Sequence, residues 1–408
     1  MNTGDSPNFS NIHARYLLVT FIPFYIDNSG SLWLAADWHR DLLRHTEYLK
    51  RLTVVAPQLP FTADIPKLLR LSDSIESELK FVALRSQDSL LKAISSLGHT
   101  IKTMDHEMRR TDVLHSSIVG WPFPLGWIAN SLALIHKRKL ILVVESAPWR
   151  NPQLGYMRRM VSWMTERLGR YFMHRADLAI VTQPSYLATL RRADSRGLEF
   201  VNPASWVNEE EMLSSDNLLQ DWDQKRSVGR LRLIFAGRLT RDKGVEVLLA
   251  AVSQLEAAGV AVHIDIIGEG DLLELCKARA STVKHPLELQ VLNPVMYGPA
   301  FFELLRGYHA VLVPSLGDEQ PRILFDAFAQ GIPVIASDTD GIRPHVDEHT
   351  GWLFAKGDVG ALVSAIVKVS KSPGEIEVRG KAAHVTVQKR THLAMHQARS
   401  YEISKLFA

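Results

Sequence analysis

The sequence predicts an α/β protein built as two Rossmann-like domains, each with its own parallel sheet. Three observations carry this. Short apolar runs alternate with longer runs of helical periodicity, the pattern of parallel strands covered by helices on both faces. The rhythm lapses over Val207–Gly229, a polar and charged stretch with no strand signal, and then resumes. The chain also has 408 residues, more than one core holds at roughly 150 residues per domain.

In the first half the apolar runs predict strands at Tyr16–Pro23, Leu52–Ala56, Leu79–Leu84, Val113–Ile118, Leu140–Val144, Leu178–Thr182 and Leu198–Val201. Helical spacing predicts helices at Leu32–His45, Leu90–Thr103 and Leu125–His136 between them. In the second half, strands are expected at Leu231–Ala236, Val262–Ile267, Leu287–Leu292, Ala310–Val313, Pro333–Ala336 and Gly351–Phe354. Helices are expected at Val245–Ala258, Asp271–Ala280, Pro299–Gly307, Pro321–Gln330 and Val359–Ser370. The expected domains are 1–206 and 230–385, joined by a linker over 207–229. A helix over 386–408 is expected to pack back on the first domain. A cleft between two such domains is a favoured place for a ligand.

Composition narrows the class of function. Hydrophobic residues at 46% and charged residues at 22% are ordinary for a globular protein and exclude a disordered or fibrous chain. Lys plus Arg is 47 against 44 for Asp plus Glu, a net charge of +3, which argues against a dedicated nucleic-acid binder. Cys276 is the single cysteine, so neither an intrachain disulfide nor a C-x-x-C site can form. The most apolar runs, Tyr16–Tyr25 and Leu140–Val144, fall well short of the roughly 18 residues of a membrane span. The polar start, with Asp5, lacks signal-peptide features, so the expected location is the cytoplasm.

The strongest local signal runs from Phe235 to Gly244, FAGRLTRDKG. A strand ends at Ala236, Gly237 permits a tight turn, and Arg238 and Lys243 follow before the next helix. This is the carboxyl edge of a parallel sheet, where ligands bind. Arg as a fork and Lys as a point charge suit a diphosphate there; the alternative is a basic loop on a solvated surface. The second signal begins at Pro314 and ends at Ala336, PSLGDEQPRILFDAFAQGIPVIA. Asp318 lies in the loop and Asp326 eight positions on, within a helix expected to start near Pro321. Asp326 is placed to accept hydrogen bonds from sugar hydroxyls; the alternative makes Asp318 a helix cap and leaves Asp326 solvated.

Together the two motifs resemble the family 4 retaining glycosyltransferases, which have the GT-B fold. Gly237, Arg238, Lys243 and Gly244 match that family's G-R-x-x-x-x-K-G donor-phosphate motif, and the stretch from Ser315 to Ala336 resembles its E-x7-E signature. The likeness extends to Ile267–Gly270 and to Thr350–Gly351, covering roughly 229–370. The resemblance implies a nucleotide diphosphate sugar as donor, a glycan or lipid-linked glycan as acceptor, no metal and no cofactor. It implies that Arg238 and Lys243 hold the diphosphate and stabilise leaving-group charge. Asp318 then stands near the donor sugar and Asp326 near the ribose, both one methylene shorter than the family's Glu. Glu319 is the rival to Asp318, and Glu319, Arg322 and Ile323 count with the donor-binding residues. Gly30, in the turn Asp27–Ser31, matches a Gly-rich turn near the diphosphate. Glu145 stands where the family often has a His after a strand. It serves as a base on the acceptor or caps the next segment. His115 is the alternative catalytic His, or a structural one.

Two rival classes are a catalytically weak GT-B protein that binds nucleotide-sugar or a partner enzyme, and a nicotinamide-dependent oxidoreductase. Against the latter, Gly268 and Gly270 form only G-x-G. One more segment stands apart. Between Arg150 and Arg175 there are six Arg and one acid, Glu166, a local charge of +5. Met157, Met160, Val161, Met164, Leu168 and Phe172 recur at helical spacing, with Trp149 and Trp163 nearby. A basic amphipathic helix of this kind suits the surface of an anionic membrane, or it is a core-facing helix with a solvated basic face.

Overall fold

The computed structural model describes residues 9–62, 68–72, 75, 77–85, 89–120, 124–146, 156–195, 197–227 and 229–408, with backbone alone for 90 and 156–158. The chain divides into two compact units, residues 1–202 with 395–408, and residues 203–394.

The first unit runs β1 (Ile12–Val19), β2 (Phe24–Ile26), β3 (Leu32–Ala35), α1 (Ala36–Tyr48), β4 (Leu49–Pro60), β5 (Leu68–Arg70) and β6 (Glu78–Leu84). It continues through α2 (Leu90–Ser95), α3 (Leu97–Arg109), β7 (Val113–Ser117), α4 (Leu125–Ile135), β8 (Lys139–Val144), α5 (Tyr156–Arg175), β9 (Leu178–Val181), α6 (Pro184–Leu190) and β10 (Leu198–Val201). Its sheet has the order β10-β9-β8-β7-β1-β4-β2-β3-β5, with β6 also on β4. Pairing is parallel except where β3 meets β2 and β5. Alternation along β1 shows both faces buried. Leu17 and Val19 join α3–α6 in one apolar cluster, while Tyr16 and Leu18 join α1 and Ile403 in the other.

The second unit holds α7 (Ser215–Arg226), β11 (Leu231–Ala236), α8 (Val245–Ala257), β12 (Val262–Ile267), α9 (Leu273–Ala280), β13 (Glu288–Leu292), α10 (Pro299–Arg306) and β14 (Ala310–Val313). It then holds α11 (Ile323–Ala329), β15 (Val334–Asp338), β16 (Gly351–Ala355), α12 (Val359–Ser370) and α13 (Pro373–Val387). The sheet is wholly parallel in the order β13-β12-β11-β14-β15-β16. Leu231, Leu233 and Phe235 pack on α8 and α12, and Ile234 packs on α10, α11 and α13. A last helix, α14 (His392–Ser404), starts in the second unit and enters the first at Met395.

The structure corrects several sequence expectations. Residues 207–229 are no linker. They form a short 3-10 turn at Glu209–Glu211 and then α7, with Leu218 and Trp222 in the second core. The first passage between units falls at Asn202–Pro203 instead. Leu32–Ala35 is a strand and not the start of a helix, because Trp33 pairs with Tyr25 and Arg70 across an antiparallel edge. The helix after β14 starts at Ile323, so Pro321 precedes it and Asp326 lies in its first turn.

Candidate functional site

In the second unit, the loops that leave β11 and β14 are joined backbone to backbone. After β11, Gly237 N–H donates to Ile267 O at 3.0 Å. The chain makes a single 3-10 turn over Arg241–Lys243 and enters α8 through Gly244, whose φ is +76°. The Asp242 carbonyl then accepts two N–H groups from the other loop, Leu316 at 2.8 Å and Gly317 at 3.1 Å. The two motifs, about 75 residues apart in sequence, thereby form one rim at the carboxyl ends of adjacent parallel strands.

The charged side chains of that rim interlock. Arg238, 65% exposed at its side chain, lies 3.6 Å from the Asp242 carboxylate. Lys243 Nζ lies 3.8 Å from Asp242 and 3.7 Å from Glu319. Asp318 accepts from Lys356 Nζ at 2.9 Å. So Arg238, Lys243, Asp318 and Glu319 are brought together, and each acid faces a cation. Such partly exposed pairs contribute little to stability. Asp326 is different: it is buried and accepts from the Tyr297 hydroxyl at 2.8 Å. Ile323 packs against the core, while the Arg322 guanidinium lies 5.0 Å from the Trp206 ring centroid.

Lys356 and Tyr297 were missed by sequence reasoning. Lys356 stands 38 residues from Asp318, directly after β16, and Tyr297 stands 29 residues before Asp326. Neither separation belongs to a local motif, and only the sheet topology reveals them.

The candidates in the first unit are dispersed. Gly30, φ +81°, belongs to the turn between β2 and β3, not to a loop leaving β1. The Asp27 carboxylate organises that turn, accepting from the Ser29 hydroxyl and Trp33 Nε1, which pull its pKa down to about 2. Glu145 is exposed one residue past β8. His115 is not at a strand end. It lies within β7, buried, with Nδ1 2.7 Å from the Tyr16 hydroxyl. Burial, reinforced by His45, holds it well below the usual histidine range.

Helix α5 presents large apolar side chains outward among its cations. Met160, Trp163, Met164 and Tyr171 are exposed. Arg167 lies over Trp163 and Arg175 over Tyr171. Met160 and Met164 thus leave the stripe read from the sequence, whereas Phe172 stays in the core, joined there by Met173. Trp149 and Arg150 lie outside the described residues, as do the side chains of Met157 and Arg158. Among the described residues, no helix is long and apolar enough to cross a membrane.

Two parallel α/β units, the second with a cation-bearing rim at its carboxyl edge, define a GT-B protein. The family model described as Glycosyl transferases group 1 matches residues 230–372, the whole of the second unit's sheet and most of its helices. The chain is 31% identical over 182 residues to the amylovoran biosynthesis glycosyltransferase AmsK of Erwinia amylovora, covering 41% of this chain and 43% of that one. It is also 31% identical over 143 residues to a phosphatidyl-myo-inositol mannosyltransferase of Mycobacterium leprae, covering 34% and 37%. The chain thus spans about two fifths of the length of these curated relatives. Among solved structures, HepE of Anabaena in complex with UDP matches at a TM-score of 0.66 and 14% identity, covering 96% of this chain and all of that one. Sucrose-phosphate synthase of Thermosynechococcus elongatus matches at 0.68 and 17%, covering 96% and 98%.

Proposed function

We propose that this protein is a retaining glycosyltransferase that moves a sugar from a nucleotide diphosphate donor to a hydroxyl of a lipid-linked glycan in polysaccharide biosynthesis. The observation that carries the reading is the joining of the two motifs through the Asp242 carbonyl, which sets Arg238 and Lys243 beside Asp318 and Glu319. The chemistry follows from charge. As the bond to the leaving phosphate lengthens, negative charge grows on its oxygens. Arg238 and Lys243 stabilise that charge by direct contact, the work a divalent ion would otherwise do. Positive character grows at the anomeric carbon, where the Asp318 carboxylate stabilises it, with Glu319 as the rival. Asp326, oriented by Tyr297, receives the ribose hydroxyls. The leaving phosphate oxygen or the Glu145 carboxylate takes the acceptor proton.

The names of relatives support this reading: AmsK is a glycosyltransferase of amylovoran biosynthesis, and HepE was solved with UDP. The exposed apolar and cationic face of α5 suits an anionic lipid surface, and with it an acceptor that is lipid-linked. The test is a thermal-shift screen of uridine and guanosine diphosphate sugars, since ligand binding raises the melting temperature by mass action without an acceptor. A stabilising donor that is then turned over with acceptor present supports the reading. A donor that binds and is never turned over assigns a binding role instead, and no stabilising nucleotide removes the donor site altogether.

A further inference from the structure

We propose that Gln320 is a positioning residue of the donor site. It ties the Asp318–Glu319 loop to the place where the chain enters the second unit, so that nucleotide binding orders both together. The proposal rests on the donor reading above.

Gln320 directly follows Glu319, and its carboxamide is spent entirely on one distant residue. Ala204 N–H donates to Gln320 Oε1 at 2.8 Å, and Gln320 Nε2 donates to Ala204 O at 2.9 Å. One side chain thereby plays the part of a neighbouring strand. Ala204 is two residues beyond the first passage between units, at Asn202–Pro203. A second tie runs parallel to it. Arg322, two residues past Gln320, lays its guanidinium over Trp206 at 5.0 Å. The Trp206 ring stacks on His392, centroids 5.5 Å apart and planes 10° from parallel. His392 N–H donates to Val207 O at 2.8 Å, and His392 stands shortly before the second passage, at Ala394–Met395. Two positions of one donor-site loop thus reach the incoming segment, and that segment reaches the outgoing one.

A purely structural tie would be redundant here. Residues 207–213 are already fastened to the second unit by other bonds. Leu213 N–H donates to Ala329 O at 3.0 Å, Gln330 Nε2 to Glu211 O at 2.7 Å, and His384 Nε2 lies 2.7 Å from Leu213 O. What Gln320 adds is a connection to the loop that carries Asp318 and Glu319. If nucleotide binding favours one arrangement of that loop, linkage requires the passages to favour it too, by the same coupling free energy.

Hydrogen exchange read by mass spectrometry on the full chain, with and without saturating UDP or GDP, tests this. In the wild type, nucleotide should slow exchange at 237–244, and also at 203–208 and 390–394. In Gln320→Ala, nucleotide should still protect 237–244, with affinity within about thirtyfold of wild type, the most that two lost neutral hydrogen bonds could transmit. Its effect on 203–208 and 390–394 should disappear. Gln320→Glu keeps the acceptor and loses the donor, so it should retain part of the response, and it serves equally if the alanine variant does not fold. Unchanged exchange at both passages in the wild type, or a full response in both variants, overturns the proposal. If neither nucleotide protects 237–244 in the wild type, the donor reading fails and this proposal fails with it. Protection at 237–244 without a response at the passages overturns the proposal alone.

Discussion

Gly244 sits directly against the carbonyl of Pro314: a Cβ at Gly244 would stand 1.7 Å from that oxygen. Its φ of +76° adds a second reason for glycine, since L side chains rarely adopt it. This contact lets the loop after β11 close on the loop after β14. Gly244→Ala should therefore cost about 1–3 kcal/mol from the left-handed backbone alone. It should also force Asp242 away from Leu316 and Gly317. Denaturant unfolding and nucleotide calorimetry on this variant check both effects. Wild-type stability together with wild-type binding would show that the contact does not shape the site.

Lys243→Ala addresses the cation itself. Losing a charge-assisted contact to the diphosphate costs roughly 1.5–3 kcal/mol, so UDP or GDP should bind at least tenfold more weakly. The fold should hold, because the Lys243 pairs with Asp242 and Glu319 are long and partly exposed. Calorimetry that returns the same affinity from a folded variant would remove Lys243 from the donor site.

How much was legible depended on how local each signal was. Gly237 to Gly244 is one strand end, one turn and one helix start, so its spacing could be read directly. The strand–helix rhythm likewise placed every strand of the second sheet. The β2–β3 hairpin escaped notice because Leu32–Ala35 runs into α1 with no Gly or Pro between them. Its turn is set instead by Asp27 reaching Ser29 and Trp33. Residues 207–229 looked like a linker from their polar composition. Yet Leu218, Trp222 and Lys225 lie at helical spacing and are buried, a period that outweighs composition. The Asp326–Tyr297 and Asp318–Lys356 contacts join segments that follow β13, β14 and β16, strands that are not sheet neighbours, and no local pattern announces them.

Stability should fall in mild acid. His345 is buried against Phe325 and beside Arg390, and burial followed by that positive charge pushes its pKa down to about 4. In the first unit, His115 and His396 are also pushed well down by burial, His396 despite its contact with Asp41. A histidine depressed in the folded state takes up protons more readily unfolded. Its contribution is therefore full above the unfolded value near 6.5 and is lost as pH falls toward the folded value. For His345 the loss is on the order of 3 kcal/mol by pH 4. Urea midpoints should be level between pH 7 and 8 and drop from about pH 6.5 downward. His345→Gln, which cannot titrate, should drop less steeply. A wild-type midpoint unchanged between pH 7 and 5 contradicts the assignment.

The outward face of α5 predicts salt-sensitive binding to anionic vesicles. Each cation near such a surface contributes about 1 kcal/mol, and salt screens it. Replacing Arg159, Arg167 and Arg170 together with Gln should release the protein from phosphatidylserine vesicles in co-sedimentation, while nucleotide affinity stays unchanged. Equal binding to neutral and anionic vesicles would point to Trp163 and Met160 alone, without electrostatics.

Asp318 and Asp326 should fail in different ways when neutralised. Asp318 is partly exposed on the loop and held by Lys356; in the proposed reaction it exchanges that hold for the donor sugar. Asp326 is buried in the first turn of α11 and held by Tyr297. Asp318→Asn keeps the size and removes charge where positive character develops, so turnover should fall while UDP or GDP binds nearly as before. That is the mark of an interaction made chiefly in the transition state. Asp326→Asn should weaken donor and free nucleoside diphosphate alike. Tyr297→Phe should move in the same direction by a smaller amount, because the carboxylate loses its orienting hydroxyl and keeps its charge. A purely structural reading expects Asp326→Asn to lower stability and leave nucleotide affinity alone. Steady-state kinetics paired with calorimetry on the three variants decides between them. If Asp318→Asn turns over normally, Glu319→Gln becomes the deciding variant: lost turnover there moves the role one residue along the loop, and normal turnover removes the loop from the chemistry.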